Sequence, residues 1–248
     1  MADKNQSHAF VGNGKVYLTP VTGGVEGGAF WVGVATAATI DQSVEDKKTM
    51  KEMHTGRVGD WDSIDGGVKT TMKITMNERR EKAVKAALQA TETVVPTGTV
   101  VAELHTVASA DDMFFLKHKN ASTVVITDST PTTPQPLVAG VDYKVDEKYG
   151  TVEMINLGSL IQPLKVSYSY GETTEIKPMT DNVDYYKIRV NGLNRAGQKG
   201  KQVIEAFQGK LDPVSTLELI SDDFTTMELE ADLLIDENED APYKITNL

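Results

Sequence analysis

Between Thr226 and Ile235 polar and apolar residues alternate without a break. Met227, Leu229, Ala231, Leu233 and Ile235 fall on one side, and Thr226, Glu228, Glu230, Asp232 and Leu234 on the other. A period of two belongs to a strand with one face buried, because successive side chains point to opposite faces of a sheet. The pattern recurs. In 67–76, Val68, Thr70, Met72, Ile74 and Met76 oppose Lys69, Lys73 and Thr75; in 164–170, Val166, Tyr168 and Tyr170 oppose Lys165, Ser167 and Ser169. In 185–194, Tyr186, Ile188 and Val190 oppose Lys187 and Arg189. Around the turn at 146–150, Tyr143 and Val145 face Val152 and Met154, and Gly150 supplies the positive φ of a bulged hairpin turn. A chain built this way folds mainly as β-sheet.

One segment changes period. "NERREKAVKAALQAT" places Val84, Ala87 and Leu88 at helical spacing, with Asn77 as N-cap and Glu78 where the helix dipole favours an anion. A single helix over about 77–90 is expected. Elsewhere, the Gly-rich first 30 residues read as a flexible arm with one short strand near Lys15–Leu18, and "FWVGVATAATI" (30–40) as a buried strand. The charged stretch 41–56 reads as an extended hairpin or loop. Residues 91–112 contain Pro96 and Gly98 and end in a polar turn, and a short edge strand is expected at the C-terminus. Residues 93–172 read as an inserted β-rich subdomain or sheet extension, set into a domain made of 1–92 and 173–248.

Composition narrows the chemistry. There is no Cys, so disulfides, thiolate zinc sites and cysteine nucleophiles are excluded. A net charge of −11 argues against wrapping nucleic acid, which needs clustered Lys and Arg against phosphate. No apolar run approaches the roughly 18 residues of a membrane span, and the N-terminus lacks the basic and apolar stretches of a signal peptide. The expectation is a protein made in a cytoplasm, without a membrane partner. "GDWDSIDGG" (59–67) resembles a calcium loop, but Ile64 stands at the third ligand position and Thr71 at the twelfth. It reads as an Asp-Gly turn. "GLNRAGQKGK" (192–201) lacks the Gly-Lys-Ser/Thr ending of a phosphate loop and reads as a hairpin loop whose Arg195, Lys199 and Lys201 form a basic contact. His8, His54, His105 and His118 form no metal pair, and no Gly-x-Ser-x-Gly elbow occurs. The expectation is a protein that is not an enzyme and holds no cofactor or metal. Trp31, in an apolar run, reads as core; Trp61, in a polar setting, is a candidate contact with another chain.

The order of these signals resembles a known family. "GKVYLTPV", then "FWVGVATAATIDQSVEDKKTM", then a strand and a single helix, is similar to the opening of the phage tail tube (major tail) proteins of long-tailed bacteriophages. "YKIRVNGLNRAGQKGKQVIEAFQGKLDPVSTLELISDDFTTMELEADLLID" resembles their closing block, with "LELISDDFTTMELEADLLID" as last major strand, and "AGVDYKVDEKYGTVEMI" resembles a hairpin found between the two. The last strand departs from a frequent Gly-x-x-Leu pattern in reading Glu230-Ala231-Asp232-Leu233.

The resemblance implies a β-sandwich or barrel flanked by one helix. It implies assembly into hexameric rings stacked as a hollow tube in the virion tail, with a tape-measure protein and other tail proteins as partners. Viral DNA would pass through the lumen without specific binding. On that reading Glu228, Glu230 and Asp232 are lumen-facing candidates. Glu45, Asp46, Lys47, Lys48, Lys51, Trp61, Arg195 and Lys199 are candidates for contacts between subunits or rings. Two other classes compete: another structural β protein of a virion or injection apparatus, and a carbohydrate-binding β module with aromatics aligned on one face.

Overall fold

The computed structural model describes residues 11–54, 59–64, 66–196 and 200–248. The chain divides into two compact units, Met1–Thr91 with Lys177–Leu248, and Glu92–Ile176.

The first unit opens with β1 (Gly12–Thr22), β2 (Val25–Glu26), β3 (Phe30–Trp31), β4 (Ala35–Glu45), β5 (Lys48–Glu52), β6 (Gly59–Ile64), β7 (Gly67–Met76) and α1 (Glu81–Ala87). The second holds β8 (Thr91–Val95), β9 (Gly98–His105), β10 (Met113–Phe115), β11 (Ala121–Thr127), β12 (Tyr143–Asp146), β13 (Thr151–Met154), β14 (Leu164–Tyr170) and β15 (Thr173–Lys177). The chain then returns to the first with β16 (Tyr185–Asn194), β17 (Lys201–Leu211), β18 (Met227–Leu234) and β19 (Tyr243–Asn247). The protein is mainly β.

In the first unit, nine strands form one sheet in the order β2-β1-β16-β17-β18-β7-β4, with β3 beside β1 and β19 beside β17. One edge of β17 is shared: β19 pairs with Gln202–Ala206 and β18 with Gln208–Leu211. The alternation seen in sequence sets the register. Met227, Leu229 and Ala231 lie opposite Met76, Ile74 and Met72. Together with Val16, Leu18, Ile188 and the inner face of α1 they form one buried cluster.

Several sequence expectations are corrected here. Residues 12–22 are no flexible arm but an eleven-residue strand, paired with β16 from Gly12↔Asn194 to Val21↔Tyr185. Val16, Leu18 and Val21 are its buried residues, so the glycines flank a strand rather than dissolve it. The stretch 30–40 is not a buried strand: β4 starts only at Ala35 and is mostly exposed. Its Ala and Thr side chains are too small to need covering. Trp31 is half-buried, with the Arg80 guanidinium 4.2 Å and the Lys15 ammonium 5.1 Å from its ring.

The helix is shorter than 77–90. Asn77 does not cap it, because its N–H is bound to the Val34 carbonyl (3.0 Å) and holds the chain extended. Glu78 accepts from the Val34 N–H (3.1 Å) and pairs with Arg80 (3.0 Å), so Arg80 becomes the N-cap. Gln89, at φ 48°, ends the helix, and its side-chain amide donates to the Leu211 carbonyl. The residues α1 buries are Ala83, Ala86 and Ala87. Pro96 falls between β8 and β9, and Gly98 opens β9.

The second unit has its own core. Sheets β10-β13-β12 and β11-β14-β9 enclose Phe114, Ile126, Tyr143, Val152, Met154, Leu164, Val166 and Tyr168, and β8 pairs with β15. The hairpin pairs Tyr143↔Met154 and Val145↔Val152, and Gly150 sits at φ 66°.

Two polar clusters organise the loops of this unit. Glu103 accepts from the Tyr168 hydroxyl (2.6 Å), the His105 Nε2 (2.8 Å) and the Lys117 N–H (3.0 Å). Burial pushes its carboxyl upward, but these donors outweigh it and leave the group below the usual range. Burial, reinforced by Glu103, pushes the Tyr168 phenol up to about 12.

Asp128 is the anchor of the Pro-rich loop. It is buried, and accepts from the N–H groups of Thr130 (3.1 Å), Gln135 (2.6 Å) and Ile161 (3.3 Å) and from the Thr130 hydroxyl. Burial disfavours the anion, yet these donors win and bring its pKa to about 2, from 3.8. The folded value lies below the unfolded one, so ionised Asp128 stabilises fully above about pH 4 and the contribution disappears as pH falls towards 2. Thermal melts between pH 5 and pH 2 should therefore show a flatter pH dependence in Asp128→Asn than in the wild type. Asp128→Ala, which also strands the buried donors, should melt below Asp128→Asn at neutral pH. Equal slopes in the wild type and Asp128→Asn would refute this role.

Candidate functional site

β4 and β7 pair from Ala35↔Met76 to Glu45↔Gly67. Beyond that point the ribbon continues as β5 and β6, which pair from Lys48↔Ile64 to Glu52↔Gly59 and have no other strand neighbour among the described residues. The join is tight. Asp46 takes φ 50°, and a Cβ on Gly66 would meet the Glu45 carbonyl oxygen at 2.7 Å. Residues 41–54 thus belong to an extended β-ribbon, 55 and 56 lying outside the described residues, and "GDWDSI" is its return strand rather than a turn.

This ribbon lacks a core of its own. Val44 and Val68 lie opposite one another and are both exposed, as are Met50, Met53, Trp61 and Ile64. An isolated two-stranded hairpin is at best marginally stable in water. Local order comes from Glu52, whose carboxylate accepts from the His54 N–H and pairs with the His54 ring, both at 3.0 Å. That ring stands edge-on to Trp61, 5.5 Å between centroids and 74° between planes. The shallow surface beside them is lined by Met50, Met53 and Trp61, which is 63% exposed.

Along the core-remote face of the same sheet lie the expected acidic residues. Glu228, Glu230 and Asp232 are opposite Thr75, Lys73 and Thr71. Glu230 pairs with Lys73 (3.3 Å) and Asp232 with Lys69 (3.1 Å), and the Thr71 hydroxyl donates to Asp232 (3.3 Å). The hydrogen bond to Asp232 holds the Lys69 ammonium above its ordinary pKa. The alternation placed these acids on one solvent face but gave no sign of the lysines that offset two of them, because cross-strand partners depend on register.

The remaining candidates are spread out. Glu45 ends β4, Asp46 and Lys47 join it to β5, and Lys48 and Lys51 lie on β5. Arg195 is exposed just after β16, with its N–H on the Val11 carbonyl (2.9 Å). Lys199 lies outside the described residues. Glu45, Asp46, Lys47, Lys48, Lys51 and Trp61 therefore share one ribbon, and Arg195 belongs to a different loop.

Among the described residues, β4 ends the path of the sheet with no strand on its other side along Ala35–Glu45, and β19 also has a single strand neighbour. Unpaired edges are templates for pairing with another chain unless blunted by Lys or Pro, and β4 contains neither. Among the described residues no group of three or more His, Asp and Glu could hold a metal ion. Among the described residues no helix is long and apolar enough to cross a membrane.

Residues 9–244 match a protein family described as "Protein of unknown function UCP028589". The chain belongs to that family. The match spans both units. No curated protein matches the chain.

The connection between β17 and β18 was not legible beforehand. The resemblance puts Leu217–Asp236 into one last strand, whereas the strand starts at Met227 and 212–226 is a loop. Pro213 and the acids around Ser221 break the alternation there.

Proposed function

We propose that this chain is a structural tail-tube protein of a long-tailed bacteriophage. Copies join edge to edge into hexameric rings of the sandwich or barrel type, and the rings stack into a tube that conducts viral DNA. The observation that carries this reading is the unfinished ribbon: paired strands that leave the sheet, expose Met50, Met53, Trp61 and Ile64, and have no core to cover them. The bare edge of β4 supports it from a second direction, since strand addition by a copy would satisfy those backbone groups.

The net charge of −11 suits a conduit from which DNA must slide rather than stick. Glu228, Glu230 and Asp232 contribute to the lumen wall, with a reach of about 8–10 Å at physiological salt. Lys69 and Lys73 temper that contribution. Tape-measure and other tail proteins are the expected partners, and the virion tail the expected location.

Reversing the charge at Lys47 and Lys48 tests the role of the ribbon. Sedimentation of Lys47→Glu/Lys48→Glu should show a folded chain that no longer polymerises under conditions where the wild type does. Unchanged polymers would count against the ribbon as a contact surface.

A further inference from the structure

Sulfur is unevenly placed in this chain. It has no Cys, and of its nine Met, Met72, Met76, Met154 and Met227 are buried in the two cores. Met50 and Met53 instead sit together on the ribbon and are 57% and 87% exposed. His54 follows at once, so "MKEMH" (50–54) carries two thioethers and an imidazole. Trp61 joins them from β6. Met50 lies opposite Asp62 and Lys51 opposite Asp60, which makes Trp61 the extra residue of a bulge. Bulges re-aim a side chain. Here one shallow surface is lined by Met50, Lys51, Glu52, Met53, His54 and Trp61.

The imidazole is held as a metal ligand is held. Glu52 is only 9% exposed, and its Oε1 accepts from the His54 backbone N–H and from the ring Nδ1, each at 3.0 Å. With Nδ1 donating, the neutral ring keeps its lone pair on Nε2. That nitrogen has no hydrogen-bond partner among the described residues. A carboxylate on the opposite ring nitrogen is the common support of a metal-binding His, because it fixes the tautomer and raises the basicity of the ligating atom. The Trp61 indole stands 5.5 Å from the ring between centroids, and an indole face attracts a cation within about 6 Å.

The charge around this surface admits a cation. On the ribbon Glu45, Asp46, Glu52, Asp60 and Asp62 outnumber Lys47, Lys48 and Lys51, and Lys51 has Asp60 opposite it. Donor type then selects the ion. Thioethers are soft and suit Cu(I), whereas Mg2+ and Ca2+ take oxygen ligands. Three neutral donors suit a single positive charge.

We propose that Met50, Met53 and the Nε2 of His54 bind a soft monovalent cation, Cu(I) or its analogue Ag(I), with Trp61 beside it. Glu52 is the positioning residue that holds the imidazole. All the donors lie within one copy, so the inference does not depend on the self-assembly reading. The ion would tie the end of β5 to Trp61 on β6, a clasp for a ribbon that has no core, since metal binding adds to the stability of the fold that presents the ligands.

Ag(I) needs no reductant and is the probe. Native mass spectrometry of the untagged full chain, titrated with Ag(I) in chloride-free buffer, should show saturation at one ion per chain. In Trp31→Phe, where Trp61 is the remaining indole, the same titration should change the Trp fluorescence. Met50→Leu/Met53→Leu keeps an apolar surface and removes both sulfurs. It should weaken binding by about tenfold or more, as should His54→Gln, and Glu52→Gln should weaken it by about 10–100-fold. Met113→Leu, on β10, should bind as the parent does, and circular dichroism should show the parent strand signature in every variant. No saturation at one ion, or Ag(I) affinity unchanged by Met50→Leu/Met53→Leu, would overturn the site. Displacement of Ag(I) by equimolar Zn2+ would overturn its assignment to a soft monovalent ion.

Discussion

Excision of residues 47–65 should leave a chain that folds and does not assemble. The deletion joins Asp46 to Gly66, so β4 and β7 would be connected by Asp-Gly at the point where Glu45 already lies opposite Gly67. Asp-Gly is a favoured two-residue hairpin turn, and Asp46 already occupies the left-handed region at φ 50°. Nothing in the core of the first unit lies in the removed stretch, since the buried residues of β7 begin at Thr70. The shortened protein should keep its strand signature by circular dichroism and melt within a few degrees of the parent. In sedimentation it should run as a monomer where the parent forms polymers. Polymers of the shortened chain would show that assembly proceeds without the ribbon.

The second large effect concerns the two cores, which share no buried residue. Leu229 is 1% exposed in the first and Met154 is fully buried in the second. Truncating either to Ala should cost about 2–5 kcal/mol, a large part of the roughly 5–15 kcal/mol that holds a domain together. In calorimetry of the whole chain, Leu229→Ala should lower the transition of the first unit and leave the other in place, and Met154→Ala should do the converse. The segment 92–176 expressed alone should unfold cooperatively, because its two sheets and their core are complete within it. A single transition lowered alike by both substitutions would show that the chain unfolds as one body.

Much of this architecture was legible where burial and alternation coincide. β7, β12, β13, β14, β16 and β18 each carry apolar residues at every second position, and apart from Val68 near the start of β7 these are buried or half-buried. Legibility failed where a strand has nothing to bury. β4 and β6 are almost entirely exposed, so their formation rests on pairing with a neighbour, which a single segment does not reveal. β1 was obscured by glycines that flank its buried Val16 and Leu18. The helix was over-extended because Asn77 has the chemistry of a cap, while the Val34 carbonyl had already claimed its N–H.

The candidate site followed the same rule. Charge and an exposed Trp pointed to the ribbon, and the acids of β18 announced themselves by period. Their lysine partners on β7 and the exposed Leu219, Ile220 and Phe224 did not. Ion pairing is set by register, and those three residues look like strand or core until the loop around them is seen.

Electron microscopy of the purified full-length chain, imaged across a range of concentrations, bears most directly on the central claim that this protein completes its surface with copies of itself. Hollow cylinders or six-fold rings are the predicted images. Fields of isolated single particles at every concentration would contradict it.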